Sequence, residues 1–129
     1  MSAMTTLTRA ELGALGEQLA VDYLTELGWM VLNRNWRCRY GELDVIATDA
    51  DAVVFVEVKT RTGDGFGGLP EAVTAQKVRR LRRLAGLWLA GQDRHFTAVR
   101  LDVVGLRIER IDTSGTPDTP EIMHLRGVG

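Results

Sequence analysis

Apolar positions in this chain keep helical spacing for its first quarter and then switch to alternation. Leu12, Leu15, Leu19, Tyr23 and Leu27 form one stripe at intervals of three and four residues. Thr8 followed by Glu11 is a capping-box signature at the start of that stripe, and Gly28 is a stop signal at its end. The spacing predicts a helix to about Leu27, with residues 1–8 small, polar and frayed. Trp29–Trp36 reads as a first, less regular strand, and Arg37–Tyr40 as a tight connection. Residues 42–48 then alternate polar and apolar, Asp49–Asp51 supplies turn chemistry, and Val53–Thr60 is a β-branched run. Together Gly41–Arg61 reads as a two-stranded hairpin.

Thr62–Pro70 is glycine-rich, with Phe66 inside it, and reads as a loop at the mouth of whatever site the hairpin builds. Pro70 precedes a second helix from Glu71 to about Ala90, with Val78, Leu81, Leu84, Ala85, Trp88 and Leu89 as its buried face. Phe96–Val104 returns as a strand. Arg107–Ile111 and Ile122–Leu125 are weaker strand candidates separated by the flexible stretch TSGTPDTP. The order is that of an α/β protein, an αβββαβ core in which helices flank a central mixed sheet. The second helix is the crossover into a strand parallel to Val53–Thr60. A chain of 129 residues makes one domain, with a core over about 9–112 and a flexible C-terminal tail over 113–129.

The hairpin carries the candidate chemistry. Either loop length places Asp44 across from Glu57, and Glu42 across from Lys59. Two carboxylates ~5 Å apart repel by about 3 kcal/mol at an effective dielectric of ~20. A fold keeps such a pair only with a proton, a lysine or a metal ion to offset it. Two carboxylates suit a hard divalent cation, and an adjacent lysine suits a phosphate.

Other residues bear on that site. Glu17 lies at the edge of the first helix's stripe, where it is either a solvent-exposed Glu or a carboxylate reaching toward the sheet. Lys77 falls on the buried face of the second helix, where a lysine either snorkels to water or meets a negative partner. Arg79, Arg80 and Arg83 point outward, as a solvated face or as nucleic-acid contacts. Asp102, flanked by apolar residues, is a supporting partner or an edge charge. His95 and His124 lack partners at metal-ligand spacing and receive no role. The Trp residues are core or rim packing rather than base-stacking surfaces.

Composition narrows the class further. No apolar run approaches a membrane span, the N-terminus lacks a signal-peptide core, and one cysteine, Cys38, permits no internal disulfide. These features point to a cytoplasmic protein without thiolate zinc. A net charge of −1 excludes a generic polycation, but Arg34, Arg37 and Arg39 crowd the hairpin and five basic residues fall within 77–83. Walker, dinucleotide and nucleophile-elbow motifs are absent.

Glu17, Asp44 and Glu57-Val58-Lys59 in this arrangement resemble the PD-(D/E)xK nuclease superfamily, especially its Holliday-junction-resolvase-like branch. The match is closer to the small bacterial YraN-like family of uncharacterised, endonuclease-like proteins. It rests on Gly13-x-x-Gly16-Glu17-x-x-Ala20, Gly41-Glu42-Leu43-Asp44, Phe55-Val56-Glu57-Val58-Lys59-Thr60-Arg61, Pro70-Glu71-Ala72-Val73 with Lys77, and Arg100-Leu101-Asp102-Val103. These blocks cover most of residues 13–104.

The resemblance implies a restriction-endonuclease-like core and an Mg²⁺- or Mn²⁺-dependent endonuclease hydrolysing phosphodiester bonds. Asp44, Glu57, the Val58 carbonyl and Glu17 would hold the metal. Lys59 would orient water or bind developing negative charge, and Lys77 would be the helix lysine of the site. Arg61, Arg79, Arg80, Arg82 and Arg83 would contact nucleic acid, with branched or structured DNA the expected substrate. A homodimer is the assembly that resolving a four-way junction requires. The competing expectations are a nucleic-acid-binding module without catalysis and a protein-interaction factor on a nuclease-like fold.

Overall fold

A computed structural model describes residues 7–62, 73–108 and 120–129. The elements run α1 (Arg9–Glu26), β1 (Met30–Cys38), β2 (Gly41–Asp49), β3 (Ala52–Arg61), α2 (Ala75–Ala90), β4 (Ala98–Arg107) and β5 (Glu121–Leu125). The five strands form one sheet in sequence order. Every neighbouring pair is antiparallel except β3 and β4, which run parallel with α2 as the crossover. This is the α/β architecture that the hydrophobic pattern predicts.

Alternation along β3 splits the core into two layers. Val53 and Phe55 pack with Leu81, Leu84 and Trp88 of α2. Val54 and Val56 pack with Ala20 and Leu24 of α1. One helix therefore covers each face of the sheet.

The capping box of α1 is present: Thr8 Oγ1 accepts from the Glu11 N–H, and Glu11 Oε1 accepts from the Thr8 N–H. The buried line of α1 is not the leucine stripe, however. It is Gly16, Ala20 and Leu24, while Leu27 is exposed. Small residues let this helix lie close on the sheet, and a β-carbon on Gly16 would stand 1.8 Å from Thr60 Oγ1. A stripe chosen by side-chain size misses a face chosen for close approach.

Three boundaries also move. β1 continues through Cys38, leaving Arg39–Tyr40 as the turn. Helix α2 begins at Ala75 rather than Glu71, because Thr74 caps it by accepting the Lys77 N–H at 3.1 Å. Pro70, Glu71 and the Phe66 loop lie outside the described residues. β4 starts at Ala98 rather than Phe96, and Phe96 packs on the Trp88 ring instead.

Within the stretch read as a tail, β5 covers the strand candidate Ile122–Leu125. β5 pairs with β4, and the chain beyond it forms a strap across the sheet edge. His124 and the Gly127 N–H both bond Asp102, the Val128 N–H donates to the Leu101 carbonyl at 2.8 Å, and Arg82 donates to the Gly129 carbonyl at 2.6 Å.

Candidate functional site

The β2–β3 register follows the predicted hairpin, with Asp49 opposite Ala52 and Val45 opposite Val56. The ladder stops one residue short of Asp44 and Glu57. The Val58 N–H donates instead to Asp44 Oδ2 at 2.8 Å. The alternation of β2 breaks at the same point: Leu43 joins the α2-side core, whereas Val45 and Ala47 join the α1-side core. Asp44 and Glu57 are thus not a facing ladder pair, which corrects the sequence reading. The two strands part where a side chain replaces a backbone acceptor.

Where they part, a cleft of about 870 Å³ opens between the first turns of α1 and the ends of β2 and β3. Glu17, Asp44, Val58 and Lys59 line it together with Arg34, Asn35, Arg37 and Glu42. Glu17 is not a free surface carboxylate: its side chain is 13% exposed and accepts from Asn35 Nδ2 at 2.8 Å and from Arg34 Nη2 at 3.3 Å. Asn35 holds φ at 51°, a left-handed conformation that Asn tolerates better than most residues, which places this donor. Arg37 pairs with Glu42 at 2.6 Å on the rim.

Glu57 belongs to the α2 side of the sheet and does not line the cleft. Its carboxylate lies 3.5 Å from Lys77 Nζ and 3.9 Å from Lys59 Nζ. The inward Lys77 therefore meets a negative partner rather than snorkelling away. Lys59 links the two halves, lining the cleft while approaching Glu57.

Electrostatics distinguishes the carboxylates. Burial pushes the Asp44 carboxyl up to about 6, opposed by the Val58 hydrogen bond and reinforced by the negative charges of Glu57, Glu42 and Glu17. Burial also lowers the Lys59 ammonium from its ordinary value. The adjacent Lys77 amine adds to that, while Glu57 and Asp44 pull the other way. A carboxylate crowded by carboxylates and a lysine that gives up its proton more readily thus share one cleft.

The donor set suits a hard cation, since carboxylate and carbonyl oxygens are the ligands that Mg²⁺ or Mn²⁺ favours. Among the described residues no three His, Cys, Asp or Glu side chains converge as a metal-binding group. An ion would rest on Asp44 from the cleft, on Glu57 from beside its lysines on the α2 side and on the Val58 carbonyl between them, with water completing its shell. Glu17, already held by Arg34 and Asn35, would act from outside that set.

Of the nucleic-acid candidates, Arg79, Arg80, Arg82 and Arg83 are exposed along α2, and Arg61 is exposed at the end of β3. Arg82 bonds the Gly129 carbonyl, and Arg83 lies over the Tyr40 ring. Trp29 and Trp88 are core residues, the latter donating to Asn33 Oδ1 at 3.0 Å.

Asp102 is fully buried and lies away from the cleft, so it is not an edge charge. Arg100 donates to both of its oxygens, at 2.9 and 3.1 Å, and His124 Nε2 meets Oδ2 at 2.8 Å. Burial alone would raise this carboxyl, but Arg100, the Gly127 N–H and His124 together hold it below its ordinary value. His124 Nδ1 in turn lies 3.0 Å from the Tyr23 hydroxyl. An ionised Asp102 only accepts, so Nε2 carries a hydrogen toward it, and Nδ1 shares the second hydrogen bond with the Tyr23 hydroxyl. Sequence reasoning missed this role, for partners 22 and 101 residues away leave no local spacing signal.

A mixed five-stranded sheet with a helix on each face, and an acidic, lysine-bearing cleft at the open end of its hairpin, defines an α/β protein consistent with a restriction-endonuclease-like core. The chain belongs to the uncharacterised protein family UPF0102, whose model matches residues 16–106. It is 66% identical to a UPF0102 protein of Mycobacterium avium (strain 104), over the whole chain and 98% of that relative. It is 63% identical to one of Mycobacterium tuberculosis (strain ATCC 25618 / H37Rv) over the full length of both, and 69% identical to one of Mycobacterium ulcerans (strain Agy99) over 98% of this chain and all of that relative. No helix among the described residues is long and apolar enough to cross a membrane.

Proposed function

We propose that this chain is a metal-dependent nuclease of the PD-(D/E)xK type, hydrolysing phosphodiester bonds in nucleic acid, with branched or structured DNA as its substrate. One observation carries the reading. Asp44 is half-buried among Glu17, Glu42 and Glu57, its one hydrogen bond among the described residues comes from the Val58 amide, and Lys59 lines the same cleft. Negative charge collected in this way has a use once a cation and a phosphate enter.

The chain's own groups then have separate roles. Asp44, fixed by the Val58 amide, and Glu57, held between two lysines, present oxygen ligands with the Val58 carbonyl. Lys59 sits where it can hold a water or the negative charge that develops on a phosphate. Lys77 keeps Glu57 aimed. Glu17, clamped by Asn35 and Arg34, closes the α1 wall of the cleft. Bound Mg²⁺ or Mn²⁺ supplies Lewis acidity and lowers the pKa of a coordinated water.

Calorimetric titration of Mn²⁺ into wild type, Asp44→Asn and Glu57→Gln tests the metal, and a panel of branched, flap and single-stranded substrates tests cleavage. The reading expects heat and cutting in wild type and neither in the variants. Equal cutting by wild type and Asp44→Asn sinks it. A specific contact favours one second reading, nucleic-acid binding without catalysis: Glu57 already has Lys59 and Lys77 as cations. Binding that falls steeply with salt and ignores Mn²⁺ would select that reading.

A further inference from the structure

The turn between β1 and β2 consists of Arg39 and Tyr40, and Tyr40 stays 43% exposed. Its geometry is built. The Tyr40 N–H donates to Cys38 Sγ at 3.4 Å, and Gly41 follows at φ 147°, a conformation that side-chain-bearing residues rarely adopt. A β-carbon on Gly41 would lie 3.2 Å from a Leu84 methyl, so the turn rests directly on α2. That places Tyr40 beside Arg83, whose guanidinium sits 4.1 Å from the ring centroid, with the Arg39 guanidinium at 5.1 Å.

Charge around this ring is one-sided. Helix α2 carries five basic residues and no acidic one, although the whole chain has a net charge of −1. Lys77 is the member that meets a carboxylate. Among the described residues no carboxylate side chain lies within ion-pair distance of Arg39, Arg79, Arg80 or Arg83, while Arg82 is taken up by the Gly129 oxygen. Arg34, Arg37 and Arg100, by contrast, all have acidic partners. Lys77, Arg80 and Arg83 recur every three residues, so they form a basic row from Glu57 toward Tyr40. Along β2, Gly41, which follows Tyr40, lies three residues from Asp44, about 10 Å at strand rise. That is the length of roughly three stacked nucleotides.

We infer that Tyr40, with Arg39 and Arg83, is a seat for an unpaired base of a single-stranded nucleic acid, whose phosphates run along the α2 arginines toward the cleft. An exposed aromatic ring supplies sequence-tolerant stacking, and guanidinium groups with no carboxylate partner among the described residues supply the anion contacts. A duplex offers the arginines its phosphates but offers Tyr40 no open base face. The seat therefore selects frayed, flapped or single-stranded segments. This rests on the reading of the chain as a nucleic-acid enzyme and narrows its substrate to strands with unpaired bases beside the cut.

Fluorescence anisotropy of the full chain in EDTA, with a labelled 20-mer oligo(dT) and a blunt duplex of equal length, tests the seat without cleavage. Tyr40→Ala is expected to weaken oligo(dT) binding by about tenfold and duplex binding by less than twofold, and Tyr40→Phe to bind both as wild type does. Arg83→Gln is expected to weaken both probes and flatten the salt dependence. Oligo(dT) binding unchanged in Tyr40→Ala, equal loss on both probes, or no wild-type binding at low salt overturns the inference. Cleavage assayed separately with Mn²⁺ keeps the readings apart. Binding that depends on Tyr40 without any cutting retains the seat and removes the nuclease; cutting that ignores Tyr40→Ala does the reverse.

Discussion

The carboxylate of Asp44 takes the backbone N–H of Val58 at 2.8 Å, substituting a side chain for the next rung of the β2–β3 ladder. That one bond parts the strands, opens the cleft and holds an ionisable group where ionisation is costly. Four consequences for stability and metal binding can be measured.

Asp44→Asn should fold more stably than wild type at neutral pH. The folded carboxyl titrates at about 6 against 3.8 in the unfolded chain, so the native state holds the extra proton between those values. Native stability therefore falls as pH rises through this window, and the full penalty, about 3 kcal/mol, applies above pH 6. An amide oxygen still accepts the Val58 N–H and carries no charge. Urea melts should show Asp44→Asn ahead by about 1–3 kcal/mol at pH 7.5, with the gap closing toward pH 4. No gain at pH 7.5 would mean that Asp44 is not under electrostatic strain.

Two glycines of α1 should respond in opposite directions. Gly16→Ala drives a methyl group into Thr60, at 1.8 Å from Oγ1, and should cost about 2–3 kcal/mol. Thr60→Ala in the same chain should recover part of that loss. A β-carbon on Gly13 meets nothing within 4 Å, so Gly13→Ala should raise stability by about 0.5–1 kcal/mol through helix propensity alone. Thermal melts of the three proteins decide it.

Lys77→Gln should separate metal binding from catalysis. Lys77 Nζ lies 3.5 Å from Glu57 and competes there with any added cation. Its removal should tighten Mn²⁺ binding several-fold by calorimetry, while cleavage falls at least tenfold as Glu57 loses its orienting contact. Weaker Mn²⁺ binding in this variant would place the metal away from Glu57.

The Asp102 cluster should set the acid limit of the fold. Its carboxyl is held below the ordinary value, so the stability it contributes is present above the unfolded pKa and is lost as pH falls through the folded one. Asp102→Asn should cost about 3 kcal/mol at pH 7, because Arg100 loses its buried partner. Tyr23→Phe should cost about 1 kcal/mol by removing the hydroxyl that His124 Nδ1 meets. If Asp102→Asn proved neutral, the cluster would be inert packing.

What the sequence revealed and what it hid follow from the range of each interaction. The hairpin register was legible because turn chemistry and two-residue periodicity act within twenty residues. The buried face of α2 and the inward Lys77 followed from helical angle. The true face of α1 was hidden, because Gly16 and Ala20 are buried for their smallness and register as nothing on a hydrophobic pattern. The break at Asp44 was hidden too, since a side chain that stands in for a backbone acceptor leaves no trace in alternation. The helical pattern left Glu17 open between a surface position and a reach toward the sheet, and only folding brought Asn35 to it.

The strap over residues 124–129 also bears on how the chain assembles. Asp102 receives His124 and the Gly127 amide from a segment made after the rest of the sheet, and Arg82 of α2 receives the Gly129 carbonyl. During synthesis the helices, the hairpin and β4 emerge before the groups that satisfy this buried carboxylate. The sheet is thus fastened by residues 124–129, like a belt drawn shut once the garment is on. Gly127, at φ 65°, is the point where a side chain would strain that fastening.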